Sequence, residues 1–378
     1  MQEKGSVLVR RSNVRPYDGT IRFSRRNGVI KTENAGIQIG HRRIGGHHQA
    51  YIIAEACDNH FGSLSRAKEM AHLARLAGAD AVKFQHHLPD EEMLPDVPVS
   101  DNFDAPLYEF LQKNALGTED HWELKSYCES IGIQYLCTPF SFKAARDLEA
   151  MGVEAFKIGS GEMTDIPSLE RIAAFGKPMI VSTGMCTPEE IERTYNTLRK
   201  RVPLVLMNCV SEYPPVYEDI NLGFIQTMTG QFPEAVIGHS DHTPDLVTCF
   251  AAVALGAKLI EKHVTLDKRH LGPDQAVSID FSELHDLVQG IRKIEAACGS
   301  AKYVHEKEQK IREWAYRSVV SLVEIPEGAV VTQEMVWSKR PGTGIPSHEM
   351  ERVVGSRATR CIGANEIISW HDIEETSL

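Results

Sequence analysis

The chain has 378 residues, 42% hydrophobic and 25% charged, a balance that excludes bulk disorder and suits two domains or one barrel-sized domain with an appendage. It contains no uncharged apolar run long enough for a membrane-spanning helix, and no apolar stretch of signal-peptide kind near the N-terminus. The net charge of −11 disfavours a general nucleic-acid binder, and eight cysteines without a CxxC pair point to free thiols in a reducing cytoplasm.

The charge is unevenly spread. Residues 1–43 hold ten Lys/Arg against three Asp/Glu, so the remainder carries −18. Residues 1–34 read as a basic surface extension. From Tyr51 short apolar runs alternate with longer amphipathic stretches. The runs are YIIAEA (51–56), AVKFQ (81–85), IQYLCT (133–138), AFKIGS (155–160), PMIVST (178–183), PLVLMNC (203–209), AVIGHS (235–240) and KLIEKHV (258–264). Most are continuously apolar rather than alternating, as strands buried on both faces of a parallel sheet must be. The stretches between them read as helices. In 63–77 apolar residues recur at helical spacing and Gly78 supplies a stop. Thr187-Pro188-Glu189-Glu190 has a cap, a proline for the first turn and a glutamate at capping-box spacing. Asp165 and Gly176 bracket another helix.

Eight strands, each followed by a helix, within about 250 residues make the arithmetic of an α/β chain folded as a (β/α)8 TIM barrel, assigned to residues 35–299. A doubly wound sheet is the alternative, and it lacks a glycine-rich fingerprint after the first strand. Segment 86–118, rich in Pro and Asp, reads as an excursion over the barrel mouth. The polar stretch 300–314 reads as a linker. Residues 315–378, with short β-like runs between Pro and Gly turns, read as a small β-rich module.

In such a barrel chemistry belongs where strands end. Every run carries polar residues there: Glu55; Lys83 and Gln85; Thr138; Lys157, Ser160 and Glu162; Ser182 and Thr183; Asn208, Ser211 and Tyr213; His239, Ser240, Asp241 and His242; Glu261 and His263. Lys83 and Lys157 are cations inside apolar strands, and each needs an anion. Salt bridges to Glu55, Glu162 or Glu261 would serve; so would a phosphate pocket shared with the hydroxyls of Ser160, Ser182 and Ser240. His242 and His263 end adjacent strands and could share a divalent ion, or simply hydrogen-bond. Glu55 and Glu162 are candidates for acid/base work or for neutralising a lysine. Asp274, in LGPDQAVS, could bond a polyol.

The motifs YIIAEACDNHFGS, AVKFQ, CTPFS, FKIGSGEMTD, PMIVSTGM, IGHSDHT and LIEKHVTLD, followed by GPD and SKRPGTG, together resemble the sialic acid synthase family. The resemblance runs from about Ile37 to the C-terminus and leaves residues 1–34 aside. It implies a C-terminal SAF (antifreeze-like) domain and a reaction in which carbon 3 of phosphoenolpyruvate attacks the aldehyde of an open-chain N-acylated mannosamine-type sugar. Water adds to carbon 2 and phosphate leaves. It implies a divalent ion, Mn2+ or Mg2+, on His242 and His263. It implies phosphoenolpyruvate contacts from Lys83, Thr138, Lys157, Ser160, Ser182 and Ser240, with Ser211 a substrate contact where the family commonly has asparagine, and active-site acids at Glu55 and Glu162. Sugar contacts fall on Tyr213 and Asp274. Arg340 is implied to reach the partner's sugar in a domain-swapped homodimer.

The chain departs from the family pattern at several places. Asn208-Cys209-Val210-Ser211 stands where His-Cys-Thr-Asn is common, and Trp314 stands where phenylalanine is expected. Glu55-Ala56-Cys57-Asp58 stands where the family commonly has Glu-Ile-Gly and an apolar residue. These changes bear on which sugar fits: N-acetylmannosamine or a 2,4-diacetamido-6-deoxy relative, as in legionaminate synthesis. Two rivals predict otherwise: a lysine Schiff-base aldolase at Lys157 and a non-catalytic sugar-binding protein.

Overall fold

The computed structural model describes residues 36–96, 106–270 and 272–374. The basic extension 1–34, part of the excursion and the last four residues lie outside the described residues. Two short strands, β1 (Ile37–Ile39) and β2 (Arg42–Ile44), pair antiparallel. Eight strands follow: β3 (Tyr51–Glu55), β4 (Ala81–His86), β5 (Gln134–Pro139), β6 (Phe156–Ile158), β7 (Met179–Ser182), β8 (Leu204–Cys209), β9 (Ala235–Asp241) and β10 (Leu259–His263). Their hydrogen-bonded order is β5-β4-β3-β10-β9-β8-β7-β6, every pairing parallel, and β5 and β6 lie side by side where the ring meets. This is a TIM-type barrel, as the strand count predicts.

Helices follow each strand where the caps dictate. Ser63 accepts from Arg66 N to start Leu64–Ala77, and Gly78, at φ 92°, ends it in the left-handed region that glycine enters without a steric penalty. Thr187 and Glu190 form the expected capping box over Pro188–Leu198, and Asp165 caps Ile166–Ala173.

The strand pleat sets up the site. Successive side chains point to opposite faces, so every second residue enters the barrel. At the N-terminal end of the strands the inward residues are apolar: Tyr51, Ile53, Ala81, Leu136, Ala155, Ile180, Val205, Val236 and Leu259 form one cluster with Ile37, Ile39 and Ile44 of the hairpin. The hairpin thus packs on the barrel's interior floor. Its three isoleucines are at most 3% exposed, and burying each contributes about 1.5–3 kcal/mol. Two positions further along the same faces stand Glu55, Lys83, Thr138, Lys157, Ser182 and Glu261, all buried. Outward residues such as Ile52, Val82, Phe84 and Ile260 pack with the helices in a second core.

The chain divides after Cys298. In the second unit the stretch read as a linker is helical from Glu306 to Ala315. Its residues are nearly all exposed, so no apolar stripe marks the helical period; Glu308 bonds His305 N at 3.0 Å to cap it. Beyond it, β11 (Ser318–Ser321) pairs with β12 (Val336–Lys339), and β13 (Arg357–Ala358) with β14 (Ile373–Glu374), around a core that includes Val319, Ile325, Val336, Ile362 and Ile368. Among the described residues no helix is long and apolar enough to cross a membrane.

Candidate active site

A cavity of about 970 Å³ opens at the C-terminal ends of the strands. Glu55, Lys83, Thr138, Lys157, Ser160, Glu162, Ser182, Ser211, Tyr213, Ser240, His242, His263 and Asp274 all line it. Residues drawn from all eight strands and their following loops therefore meet in one place. Arg340 belongs to the second unit, where it is exposed; its Nε donates to Ala315 O at 3.0 Å and its guanidinium lies 5.6 Å from the centre of the Trp314 ring.

The two lysines share an anion. Lys83 Nζ lies 2.9 Å from Glu55 Oε2, and Glu261 Oε1 sits 3.5 Å from Lys83 and 3.7 Å from Lys157. Each ammonium also donates to a hydroxyl: Lys83 to Thr138 at 3.1 Å, Lys157 to Ser182 at 2.7 Å. Ser240 donates to Glu261 at 3.0 Å. The salt-bridge reading of the lysines is realised with Glu55 and Glu261, and the hydroxyls cluster around the same ammonium groups.

The lysine charges separate the two carboxylates, which burial alone would raise together. Burial pushes Glu55 above the usual range despite the Lys83 ammonium, and repulsion by Glu261 adds to the rise. Burial would raise Glu261 too, but Lys157 and Lys83 together hold it low. Glu55 is therefore the carboxyl of the pair that takes a proton first. Lys157 is held below its ordinary value by burial and by Lys83 beside it, while Lys83, buried equally, is held up by Glu261 and Glu55.

Ser160 and Glu162 come from the loop after β6. Gly159 and Gly184 make room for them. A Cβ on Gly159 would lie 2.4 Å from Glu162 Oε2, and one on Gly184 would lie 2.8 Å from Ser160 Oγ and closer still to Ser211 Oγ. Gly184 N donates to Ser160 Oγ at 3.0 Å. Glu162 Oε2 is buried without a hydrogen-bond partner, and burial raises this carboxyl's pKa.

On the other side of the cavity Tyr213 stacks on His242 with ring centres 4.2 Å apart, and the His242 and His263 rings are 5.2 Å apart. His242 Nδ1 is 2.6 Å from the Val210 carbonyl, which assigns its proton to Nδ1 and leaves Nε2 as the lone-pair nitrogen. His263 Nδ1 is buried without a partner. Cys57, His263 and Asp274 offer donor atoms within 4.8 Å of one another, a possible metal site. An acceptor-rich set of this kind suits a divalent ion, whose His ligands characteristically give their other ring nitrogen to a carbonyl or carboxylate.

His239 and Asp241 do not line the cavity. They fall on the outward face of β9, where Asp241 pairs with Lys262 at 2.6 Å and accepts from Thr248 at 2.8 Å. The same alternation brings in residues that sequence reasoning did not assign to the site. Glu261 is a strand-end residue to which the sequence assigns no role beyond salt bridging. Gln85, His87, Glu92 and Asp58 also line the cavity. His87 and Glu92 fall in the excursion, where no periodicity gives their direction.

The NeuB family matches residues 70–303, and the SAF domain matches 316–374. The chain is 38% identical over 337 residues to the N,N'-diacetyllegionaminic acid synthase of Legionella pneumophila, covering 86% of this chain and 94% of that one. It is 33% identical over 335 residues to the N-acetylneuraminate-9-phosphate synthase of Homo sapiens, covering 86% and 93%. A crystal structure of the N-acetylneuraminic acid synthetase of Leptospira borgpetersenii superposes with a TM-score of 0.68 at 33% identity, over 74% of this chain and 95% of that one.

Proposed function

The chain belongs to the NeuB family, and we propose that it condenses phosphoenolpyruvate with an open-chain N-acylated hexosamine, releasing phosphate and forming a nonulosonate. The observation that carries this reading is the pairing, in one cavity, of two buried hydroxyl-bonded ammonium groups with a histidine pair. The first suits the phosphate and carboxylate of an enol ester. The second suits the oxygen of an aldehyde.

Lys83 and Lys157 would offset the substrate's negative charge, and Thr138, Ser160, Ser182, Ser211 and Ser240 would fix its orientation. The arriving anion competes with Glu261 for both ammonium groups. A protonated Glu55 lessens that competition, which gives its raised pKa a use. Glu162, buried with an unpartnered oxygen, would accept a proton from the water that adds to carbon 2. Carbon 3 forms the new bond to the aldehyde carbon, and the carbon–oxygen bond to phosphate breaks as the carbonyl of the product forms.

His242 and His263 would hold the divalent ion, Mn2+ or Mg2+, with Cys57 and Asp274 within reach of His263. When bound, such an ion polarises the aldehyde as a Lewis acid. Tyr213, stacked on His242, and Asp274 would contact the sugar. The acceptor is N-acetylmannosamine or a 2,4-diacetamido-6-deoxy hexose, and the eight free cysteines suit a cytoplasmic location.

The test is phosphate release from phosphoenolpyruvate across a small panel of N-acylated hexosamines, with and without a chelator. Release should require both a sugar and a divalent ion. Release of no phosphate with any sugar or metal would end the proposal, as would a borohydride-trapped adduct with pyruvate, which belongs to a Schiff-base aldolase.

The proposal includes a homodimer in which Arg340 of one subunit reads the N-acyl group of the sugar bound to the other. Arg340→Ala should raise KM for the sugar tenfold or more and leave KM for phosphoenolpyruvate within about twofold, a guanidinium hydrogen bond being worth roughly 1.5–3 kcal/mol. Equal rises in both constants, read from initial rates, would argue against that role.

A further inference from the structure

The cavity is electrically divided. Lys83 and Lys157 stand on one side. A hydrogen-bonded chain leads away from them: Lys83 pairs with Glu55, Gln85 Nε2 donates to Glu55 at 3.3 Å, and Gln85 Oε1 accepts from His87 Nε2 at 3.0 Å. His87 Nδ1 lies 2.9 Å from Glu92, and His87 Nε2 lies 3.7 Å from Asp58 Oδ2. With both ring nitrogens donating, His87 is an imidazolium, yet it faces two carboxylates and so leaves this wall negative. Asp274 and Glu162 line the same cavity and add to that sign. Phe140 stacks on the far side of the His87 ring at 4.2 Å.

Asp58 stands out within this wall. Its side chain is 8% exposed, and its Oδ1 makes no hydrogen bond, the nearest ring nitrogen, His60 Nε2, lying 3.9 Å away. A buried carboxylate oxygen left this way is costly unless something donates to it. The family pattern that the chain resembles commonly has an apolar residue at this position, and Asp58 departs from it.

We propose that Asp58 is a specificity-determining residue: it receives a hydrogen-bond donor, a hydroxyl or an amide N–H, from the distal end of the acceptor sugar, and its wall rejects acceptors that carry a phosphate there. This rests on the reading of the cavity as a phosphoenolpyruvate-dependent synthase. The aldehyde end of the acceptor must meet the enol carbon near the lysines and the histidine pair, so its other end extends toward the remaining wall. A phosphate dianion there would face Asp58 and Glu92 in a poorly solvated pocket. Among the described residues of this wall the cation is His87, and it is already engaged by Glu92. Like charges in such a site oppose binding strongly, and a site built to accept a hydrogen bond discriminates against ligands that cannot give one.

The experiment follows phosphoenolpyruvate consumption by the full-length enzyme with N-acetylmannosamine, a 2,4-diacetamido-6-deoxy hexose and N-acetylmannosamine 6-phosphate. The better neutral sugar should exceed the 6-phosphate by a hundredfold or more in kcat/KM. Asp58→Val should raise KM for that neutral sugar about tenfold or more, leave KM for phosphoenolpyruvate within twofold and narrow the preference over the phosphorylated sugar at least tenfold. Asp58→Asn, which keeps the shape and an acceptor oxygen, should fall between; it decides the matter alone if the valine variant does not fold. Equal or better use of the 6-phosphate by the unaltered enzyme overturns the inference while leaving the synthase reading in place. So does an unchanged sugar KM in the variants. Absence of consumption with every sugar instead removes the synthase reading itself.

Discussion

Lys157→Met is expected to lower kcat/KM for phosphoenolpyruvate about a thousandfold while leaving the barrel folded. The two effects separate because Glu261 does not lose its last partner. It keeps Lys83 at 3.5 Å and the Ser240 hydroxyl at 3.0 Å, so the usual penalty for stranding a buried charge is avoided. The Lys157 ammonium is itself held at a cost, since burial and Lys83 both press it toward the neutral form. Methionine fills a similar volume with no charge to desolvate, and the thermal midpoint should move by only a few degrees. The bound substrate, by contrast, would lose a charged donor that the Ser182 hydroxyl, at 2.7 Å, holds in place. Truncating a buried charged partner costs about 2–5 kcal/mol, and a thousandfold corresponds to about 4. Initial rates of phosphate release alongside thermal unfolding make the measurement. Near-normal kcat/KM would reduce the lysine pair to structural ion pairing. A large drop in the unfolding midpoint would show that Glu261 depends on Lys157 more than the geometry implies.

The barrel is legible because parallel strands buried on both faces must be nearly continuous in apolar residues, and most of β3 to β10 are, apart from the polar residues near their ends. Polar residues at the ends of such runs stood out against that background, which is how Glu55, Lys83, Lys157, Ser182, His242 and His263 could be gathered before any geometry was known. What a strand end does not reveal is which face a residue takes. His239 and Asp241 look equivalent to Ser240 and His242, yet a one-residue step in the pleat turns them outward, Asp241 to Lys262 and Thr248 and His239 to Asp241 and the Asn208 carbonyl. Glu261 was visible but undervalued, since nothing local says that one carboxylate will serve two lysines. His87 and Glu92 were beyond reach because they sit past the strand, where direction comes from loop packing rather than from a repeat. The helix Glu306–Ala315 was read as linker for a related reason: a helix exposed on nearly all sides carries no buried stripe to set its period.

The relatives differ in the sugar acids they are named for, and the cavity suggests where that divergence can reside. The lysine, hydroxyl and histidine groups sit on the rigid inward faces of strands or directly after them, so their spacing is set by the sheet register: His263 opposite Glu55, Glu55 opposite Lys83. The wall that includes His87, Glu92, Met93 and Leu107 comes from the segment between β4 and β5, which can vary without disturbing that register. Under the proposed function, such an arrangement would permit the enol ester's half to be kept while the sugar's half is altered.

His263→Ala should remove the response to divalent ions together with most turnover, by about a thousandfold or more. His263 ends β10 between His242 and the Cys57–Asp274 pair, so its imidazole is the donor common to both possible ligand sets. Its Nδ1 makes no hydrogen bond and only approaches Asp274 Oδ1 at 4.0 Å, so alanine breaks no hydrogen bond at that atom and the fold should tolerate the change. His242 differs in this respect: its Nδ1 is tied to Val210 O at 2.6 Å, and its loss would also release the loop after β8. The informative readout is therefore the chelator response of the His263 variant beside direct Mn2+ binding followed by paramagnetic resonance. The residual rate should be the same with and without chelator, and the free Mn2+ signal should persist at concentrations where the unaltered protein removes it. A variant that keeps both its rate and its sensitivity to chelator would place the ion elsewhere, and would leave the two imidazoles as an edge-to-face pair beside Tyr213 with no part in activating an aldehyde.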